Sequence, residues 1–179
     1  MRKILQKDFF ERPALRVAED LLGKYLVKQS GDGEMSARIT EVEAYGGFED
    51  KASHAHRGKT PRNAPMFGEA GVWYVYFVYG IHFMLNIVTD QEDIPSAILI
   101  RGVEGISGPG KLTKHFAIDK MYNAKKADTQ TGLWIEDRGE LITPKHIRRL
   151  PRVGVAYAGE VWAKKPYRFF LDPDVISKK

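Results

Sequence analysis

Residues 72–88 read Val-Trp-Tyr-Val-Tyr-Phe-Val-Tyr-Gly-Ile-His-Phe-Met-Leu-Asn-Ile-Val, and nearly every second side chain is a large apolar one. Period-two alternation around a glycine predicts two antiparallel strands and a tight turn. The side chains also predict the register. A three-residue loop at Tyr79-Gly80-Ile81 puts Trp73, Val75, Phe77, Phe83, Leu85 and Ile87 on one wholly apolar face. Tyr74, Tyr76, His82, Met84 and Asn86 then share the other. A two-residue loop would swap the faces of one strand and bring polar groups into the core. One side of the hairpin is therefore core, and the other is an aromatic surface with polar handles, suited to a flat, partly polar ligand such as a nucleobase. Tyr79 is left at the tip, where it can wedge into something. The plainer alternative is an amphipathic hairpin whose tyrosines merely line a surface.

Around this hairpin, Pro13 to Leu22 predicts a short helix, with proline tolerated in the first turn and Gly23 as a stop. Lys24–Gln29, Ala37–Tyr45 and Ala97–Val103 predict strands, with Leu133–Glu136, Val153–Tyr157 and Tyr167–Leu171 as shorter candidates. A helix starts at Lys111. Residues 46–71 show no clear periodicity, and a loop of that length in a compact domain is usually functional or disordered. With 179 residues, 43% of them hydrophobic, the chain can bury a substantial core as one domain spanning 1–179. The expected class is mixed α/β (α+β), with a curved, mostly antiparallel sheet, a protruding hairpin and surrounding helices.

The chain has no cysteine, which removes disulfides and thiolate metal sites. Its apolar runs are too short for a membrane span and its start lacks a signal-peptide stretch, so a cytoplasmic protein with no membrane partner is expected. The net charge of +5 is favourable for a polyanion. Its distribution is more informative: Lys111, Lys114, Lys120, Lys125 and Lys126 form one run, Lys145, Arg148, Arg149 and Arg152 a second, and Lys164, Lys165 and Arg168 a third. Each is either a solvated face or part of a phosphate-tracking surface.

Within Arg38-Ile-Thr-Glu-Val-Glu-Ala-Tyr45, alternation puts Ile39, Glu41, Glu43 and Tyr45 on one side of a strand. Its two carboxylates lie about 7 Å apart by strand rise. Repulsion and partial burial can hold one of them as a general base; an ordinary exposed strand face is the alternative. Arg101 closes an apolar strand and calls for a carboxylate or phosphate partner, unless its head reaches solvent. His54-Ala55-His56 lacks a third ligand at metal-binding spacing. Gly105-Ile-Ser-Gly-Pro-Gly-Lys111 approaches a phosphate loop, but Leu112 stands where a magnesium-binding hydroxyl belongs. What survives is an anion site of loop amides plus Lys111, suited to a DNA phosphate.

Taken in order, Thr40-Glu-Val-Glu-Ala-Tyr45, Glu49-Asp50 leading to His54, Arg57-Gly-Lys-Thr-Pro-Arg-Asn63 and Met66-Phe67 form a highly specific set with several later segments. These are Tyr74-Val-Tyr-Phe-Val-Tyr-Gly80, Asn86, Arg101, Gly108-Pro-Gly-Lys-Leu112 and Pro151-Arg-Val-Gly-Val155. From about Ala14 to Phe169 the chain resembles the alkyladenine (3-methyladenine) DNA glycosylase family. The resemblance implies that Glu43 activates the attacking water, and that Arg101 and the backbone carbonyl of Val153 help to hold it. It implies that Tyr45, His54 and Tyr76 wall a pocket for a flipped base and that Asn86 discourages guanine. It also implies that Tyr79 enters the minor groove, that Met66 is a further groove contact, and that Arg62 and Lys111 bind DNA. His82 departs from the pattern on the same face as the base pocket, and Val161 reads as a small insertion.

The implied activity is monofunctional hydrolysis of the N-glycosidic bond of alkylated or deaminated purines in double-stranded DNA, by a monomer without metal or cofactor, leaving an abasic site for base excision repair. No lysine stands at the matched catalytic positions, which favours direct hydrolysis over Schiff-base chemistry. A non-catalytic reader of damaged DNA would bind abasic or bulged duplexes without releasing base. A sugar hydrolase using Glu41 and Glu43 fits poorly, because same-face neighbours on one strand do not flank a scissile bond.

Overall fold

The computed structural model describes residues 2–31 and 33–172. It is a mixed α/β fold built on a single open sheet, in which every pairing among the described residues is antiparallel. The strands are β1 (Lys3–Ile4), β2 (Tyr25–Ser30), β3 (Gly33–Gly46), β4 (Trp73–Val78), β5 (His82–Val88), β6 (Ser96–Val103), β7 (Ile106–Ser107), β8 (Leu133–Asp137), β9 (Ile147–Leu150) and β10 (Arg168–Leu171). Four helices accompany them: α1 (Lys7–Phe10), α2 (Ala14–Leu21), α3 (Pro109–His115) and α4 (Gly159–Lys164). The main path runs β1-β8-β2-β3-β6-β5-β4, and β10 joins β3 to β9.

The long strand β3 organises the sheet. Its first half pairs with β2, while its second half lies between β6 on one edge and β10 on the other. Its apolar side chains Ile39, Val42 and Ala44 enter the main core with Val17 and Leu21 of α2, Leu85 and Ile87 of β5, and Ile98 and Ile100 of β6. Helix α2 buries Ala14, Val17, Ala18 and Leu21, the spacing of one helical face.

Strict alternation along β3 fails at one point. Ile39 is in the core with Val42, not on the side of Glu41 and Glu43 as expected. The ladder to β6 shifts register between Ile39 and Glu41 and again between Glu41 and Val42. A bulge of this kind adds a residue and re-aims the side chains that follow. No sequence periodicity encodes it.

The hairpin has the expected register. Trp73 pairs with Ile87, Val75 with Leu85, Phe77 with Phe83, and Val78 with His82, which leaves Tyr79-Gly80-Ile81 as the loop. Tyr79 (φ 52°) and Gly80 (φ 69°) both adopt left-handed backbone there. The apolar face enters the core only as far as Val75 and Phe83; Phe77 is 48% exposed because the hairpin has run past the sheet at that level.

Val153–Tyr157 is not a strand. Residues 153 and 154 form a turn and Ala156–Ala158 a 3-10 turn. Gly154 has a φ of 75°, which ends the extended run that two valines suggested.

Candidate active site

A cavity of about 370 Å³ opens between the polar face of the hairpin, the end of β3, β6, and the segment 153–157. Glu43, Arg101, Val153, Tyr45, His54, Tyr76, Asn86, Tyr79 and Met66 all line it. The fold thus brings together residues that are scattered over 110 positions of sequence, from 43 to 153.

Glu43 sits at the inner end, its side chain fully out of solvent. Strand pairing on both edges of β3 fixes its backbone: Glu43 lies opposite Leu99 on β6 and Arg168 on β10. Its carboxylate accepts the Tyr45 hydroxyl at Oε2 (2.7 Å) and the Val153 amide at Oε1 (2.8 Å). Arg101 Nη1 stands 3.5 Å from the same Oε1. Burial raises the Glu43 pKa above its ordinary 4.5, and the Arg101 charge and the two hydrogen bonds only partly offset that rise. A carboxylate has about four lone-pair sites, so these contacts leave capacity for a water. The result is a buried, structurally fixed carboxylate with raised basicity, which is what proton abstraction from water requires.

The walls are aromatic. The Tyr74 and Tyr76 ring centroids are 5.0 Å apart, and His54 meets Tyr76 edge-on at 4.6 Å. His54 Nδ1 lies 3.0 Å from the Tyr74 hydroxyl. Desolvation against these rings, with the nearby Arg62 charge, lowers the His54 pKa, so the imidazole is neutral near pH 7. Burial pushes the Tyr74 phenol up to about 12 and raises those of Tyr45 and Tyr76, so all three remain protonated donors. Asn86 is held in one orientation, its Nδ2 donating to the Tyr74 carbonyl (3.0 Å) and the Met84 carbonyl (3.3 Å). Its amide oxygen is thereby the fixed polar edge on this wall.

At the mouth, Tyr79 is 87% exposed on the hairpin tip. Arg62 is exposed; it donates to the Phe77 carbonyl (3.2 Å) and its guanidinium lies 5.3 Å from the Tyr76 ring centre. Lys111 is exposed on α3, whose Pro109 forms part of the cavity wall.

Three sequence expectations change here. Met66 is only 2% exposed, packed with Phe67, Tyr74 and Val88, so it is cavity wall and not an outer groove contact. Val153 donates its N–H to Glu43, a contact additional to the role expected of its carbonyl toward the water. His82 does not line the cavity. Its ring lies against Gly110 of α3, where an added Cβ would come within 2.7 Å of the ring, and α3 is also tied to β5 by Thr113 donating to the Phe83 carbonyl (2.9 Å).

The second and third basic runs, finally, are largely engaged in ion pairs within the protein. Arg148 pairs with Asp172, Arg149 with Glu19, Lys164 with Glu160, and Arg168 with Glu41. Arg152 is buried completely, bridging Asp50 through two bonds (2.5 and 2.8 Å) and donating to the Ala44 carbonyl (2.8 Å). Its guanidinium stacks 4.6 Å from the Tyr45 ring centre. Asp50 also accepts the amides of Ala52 and Gly46. This pair, which sequence reasoning missed, anchors the segment carrying Val153 beside the strand carrying Glu43. Its available signal was the setting of Arg152, between Pro151 and the apolar Val-Gly-Val. Tyr157, also missed, lines the cavity with its hydroxyl donating to the Ala52 carbonyl (2.8 Å).

Comparison with known proteins identifies the family. The profile of the methylpurine-DNA glycosylase (MPG) family matches residues 8–107 and 104–174. A protein of Methanocella arvoryzae is 42% identical over 93% of this chain and 92% of its own, and one of Legionella pneumophila (strain Paris) 43% identical over 99% and 100%. One of Chlorobium phaeobacteroides is 49% identical over 68% and 72%. All three bear the inferred name 3-methyladenine DNA glycosylase. The chain belongs to the methylpurine-DNA glycosylase family.

Proposed function

We propose that the protein is a monofunctional purine DNA glycosylase that draws a damaged purine out of the duplex into the tyrosine-lined cavity and hydrolyses its N-glycosidic bond. The observation that carries this reading is Glu43: a fully buried carboxylate of raised basicity at the inner end of an aromatic pocket whose mouth carries an exposed tyrosine.

Chemistry on a base inside a duplex requires extrusion, at a cost of a few kcal/mol, least for damaged pairs. An apolar wedge filling the vacated stack offsets that cost, and Tyr79 at the hairpin tip suits this role. Stacking against Tyr76 and His54 contributes about 1–3 kcal/mol per base, and an alkylated, cationic purine gains further from the ring faces. Glu43 takes a proton from water as the oxygen bonds to C1′ of the sugar. The carbon–nitrogen bond breaks with its electron pair going to the purine, which leaves as free base. Arg101 holds the water, and the fixed Asn86 side chain disfavours guanine by crowding its exocyclic amino group. The steps call for neither metal nor cofactor. The protein acts as a monomer in the cytoplasm, on the nucleoid when DNA-bound.

Incubation of duplexes carrying 3-methyladenine, 7-methylguanine, hypoxanthine or ethenoadenine, with chromatography of the liberated base, tests this reading. Free base and an intact abasic strand are expected from at least one. Tight lesion binding without release from any would support the non-catalytic reader instead. Tyr79→Ala is expected to weaken lesion-duplex binding about ten- to a hundredfold, from the lost stacking. Its melting temperature should stay near that of the wild type, because the side chain is exposed. Unchanged affinity in a titration would remove Tyr79 from the interface.

A further inference from the structure

One buried carboxylate has no part in the chemistry above. Glu41 lies two positions before Glu43, at the β3 bulge, and is almost as deeply buried. Its Oε1 accepts Arg101 Nε at 3.0 Å from β6 and Arg168 Nη1 at 3.0 Å from β10. The guanidinium of Arg101 therefore has two anionic neighbours. It makes a close hydrogen bond to Glu41 and a looser 3.5 Å contact to Glu43. Two compensating register shifts flank Glu41, with Thr40 skipped on β3 and Arg101 skipped on β6, so the arginine stands at an irregular point of the ladder beside both carboxylates. Gly102 stands opposite, where a Cβ would come within 3.3 Å of Glu41 Cβ.

We propose that Glu41 is a positioning residue that holds Arg101 by its Nε edge, limiting how much of that positive charge reaches Glu43 and so keeping Glu43 basic enough to deprotonate water. The inference rests on the glycosylase reading and deepens it. Coulomb energy decides its direction. An arginine fully paired with Glu43 would hold that carboxylate ionised to lower pH, and a carboxylate so stabilised is a poorer base. Glu41 prevents the full pairing. Other charges and phenols facing Glu43 are Arg168 from β10, Arg152 and Tyr157 from the 151–158 segment, Tyr45 on the same strand and Tyr76 from β4. Arg152 has its own partner in Asp50, and Arg168 shares the Glu41 oxygen while also donating to the Pro151 carbonyl, so Arg101 is the cation that contacts both carboxylates.

The test is the single-turnover rate of base release against pH for wild type, Glu41→Gln, Arg101→Met and the double variant, on one lesion duplex. Glu41→Gln is expected to shift the acid limb to lower pH and to lower the plateau rate about tenfold, with lesion-duplex affinity within threefold of wild type. In the Arg101→Met background the same substitution should shift the limb by clearly less, the remainder being the direct repulsion between the two carboxylates, because the larger part of its effect passes through the arginine. Arg168→Gln, which frees Glu41 to hold Arg101 more tightly, should move the limb the opposite way and keeps the test open should Glu41→Gln not fold. An unshifted limb in Glu41→Gln, or an equal loss in both backgrounds, overturns the proposal while leaving Glu43 as base. Absence of release by the wild type overturns both.

Discussion

Glu43→Gln is expected to bind lesion duplex as the wild type does and to release base about 10²–10⁴ times more slowly, the usual contribution of a general base. The substitution is nearly isosteric, and its hydrogen bonds can be kept. Oε1 continues to accept the Val153 amide and to face Arg101, while the new amide group turns to Tyr45, whose hydroxyl can accept as well as donate. The only function removed is the capacity to take a proton. Stability should respond in the opposite sense to activity. Burial raises the folded-state pKa of Glu43 above its ordinary 4.5, so the ionised wild type is penalised at neutral pH and unpenalised below about that value, where the group is protonated folded or unfolded. The variant should therefore melt at or above the wild-type temperature at pH 7, and the difference should close as the pH falls toward 4.5. The same shift places the acid limb of the wild-type rate profile above 4.5. Wild-type release by Glu43→Gln, measured in a single turnover, would remove the mechanism.

The largest stability effect is expected from Asp50→Asn. Breaking a buried ion pair by removing one partner typically costs 3–5 kcal/mol, because the remaining charge is left without compensation in a dry site. Arg152 is in that position: both side chains are fully buried, and its Nε already lacks a hydrogen-bond partner among the described residues. We expect a loss of about 3–5 kcal/mol in denaturant unfolding. Replacing both partners with apolar residues, Asp50→Leu with Arg152→Met, should recover much of it, since an apolar pair of similar volume is often neutral. Base release should fall in the single variant too, because Arg152 precedes Val153 and fixes the amide that meets Glu43. A single-variant cost below about 1 kcal/mol would show that water reaches the pair.

The hairpin was legible because two signals agreed: period-two alternation, and a face assignment that only one loop length satisfies. Pairing of Phe77 with Phe83 and Val78 with His82 is what that logic requires. Arg101 stood out as a charge closing an apolar strand, and strand alternation alone pointed Glu43 and Tyr45 the same way. Less local features were not legible. The bulge at Glu41 follows from how β3 meets β6, and nothing in Arg38–Tyr45 announces it. Asp50 and Arg152 are 102 residues apart, and only the closed fold shows that a cation from a basic run is interior. His82 was misplaced for a similar reason. Its face was right, but the glycine of α3 that receives its ring comes from a distant segment.

The position of Glu43 on the part of β3 that is laddered on both edges ties the fate of the reactive centre to that of the whole sheet. Exposing it would require β6 or β10 to peel from β3, an opening close to global unfolding. Amide deuterium uptake around residue 43 should therefore be among the slowest in the molecule, and on heating the enzyme should stay competent until the sheet itself gives way.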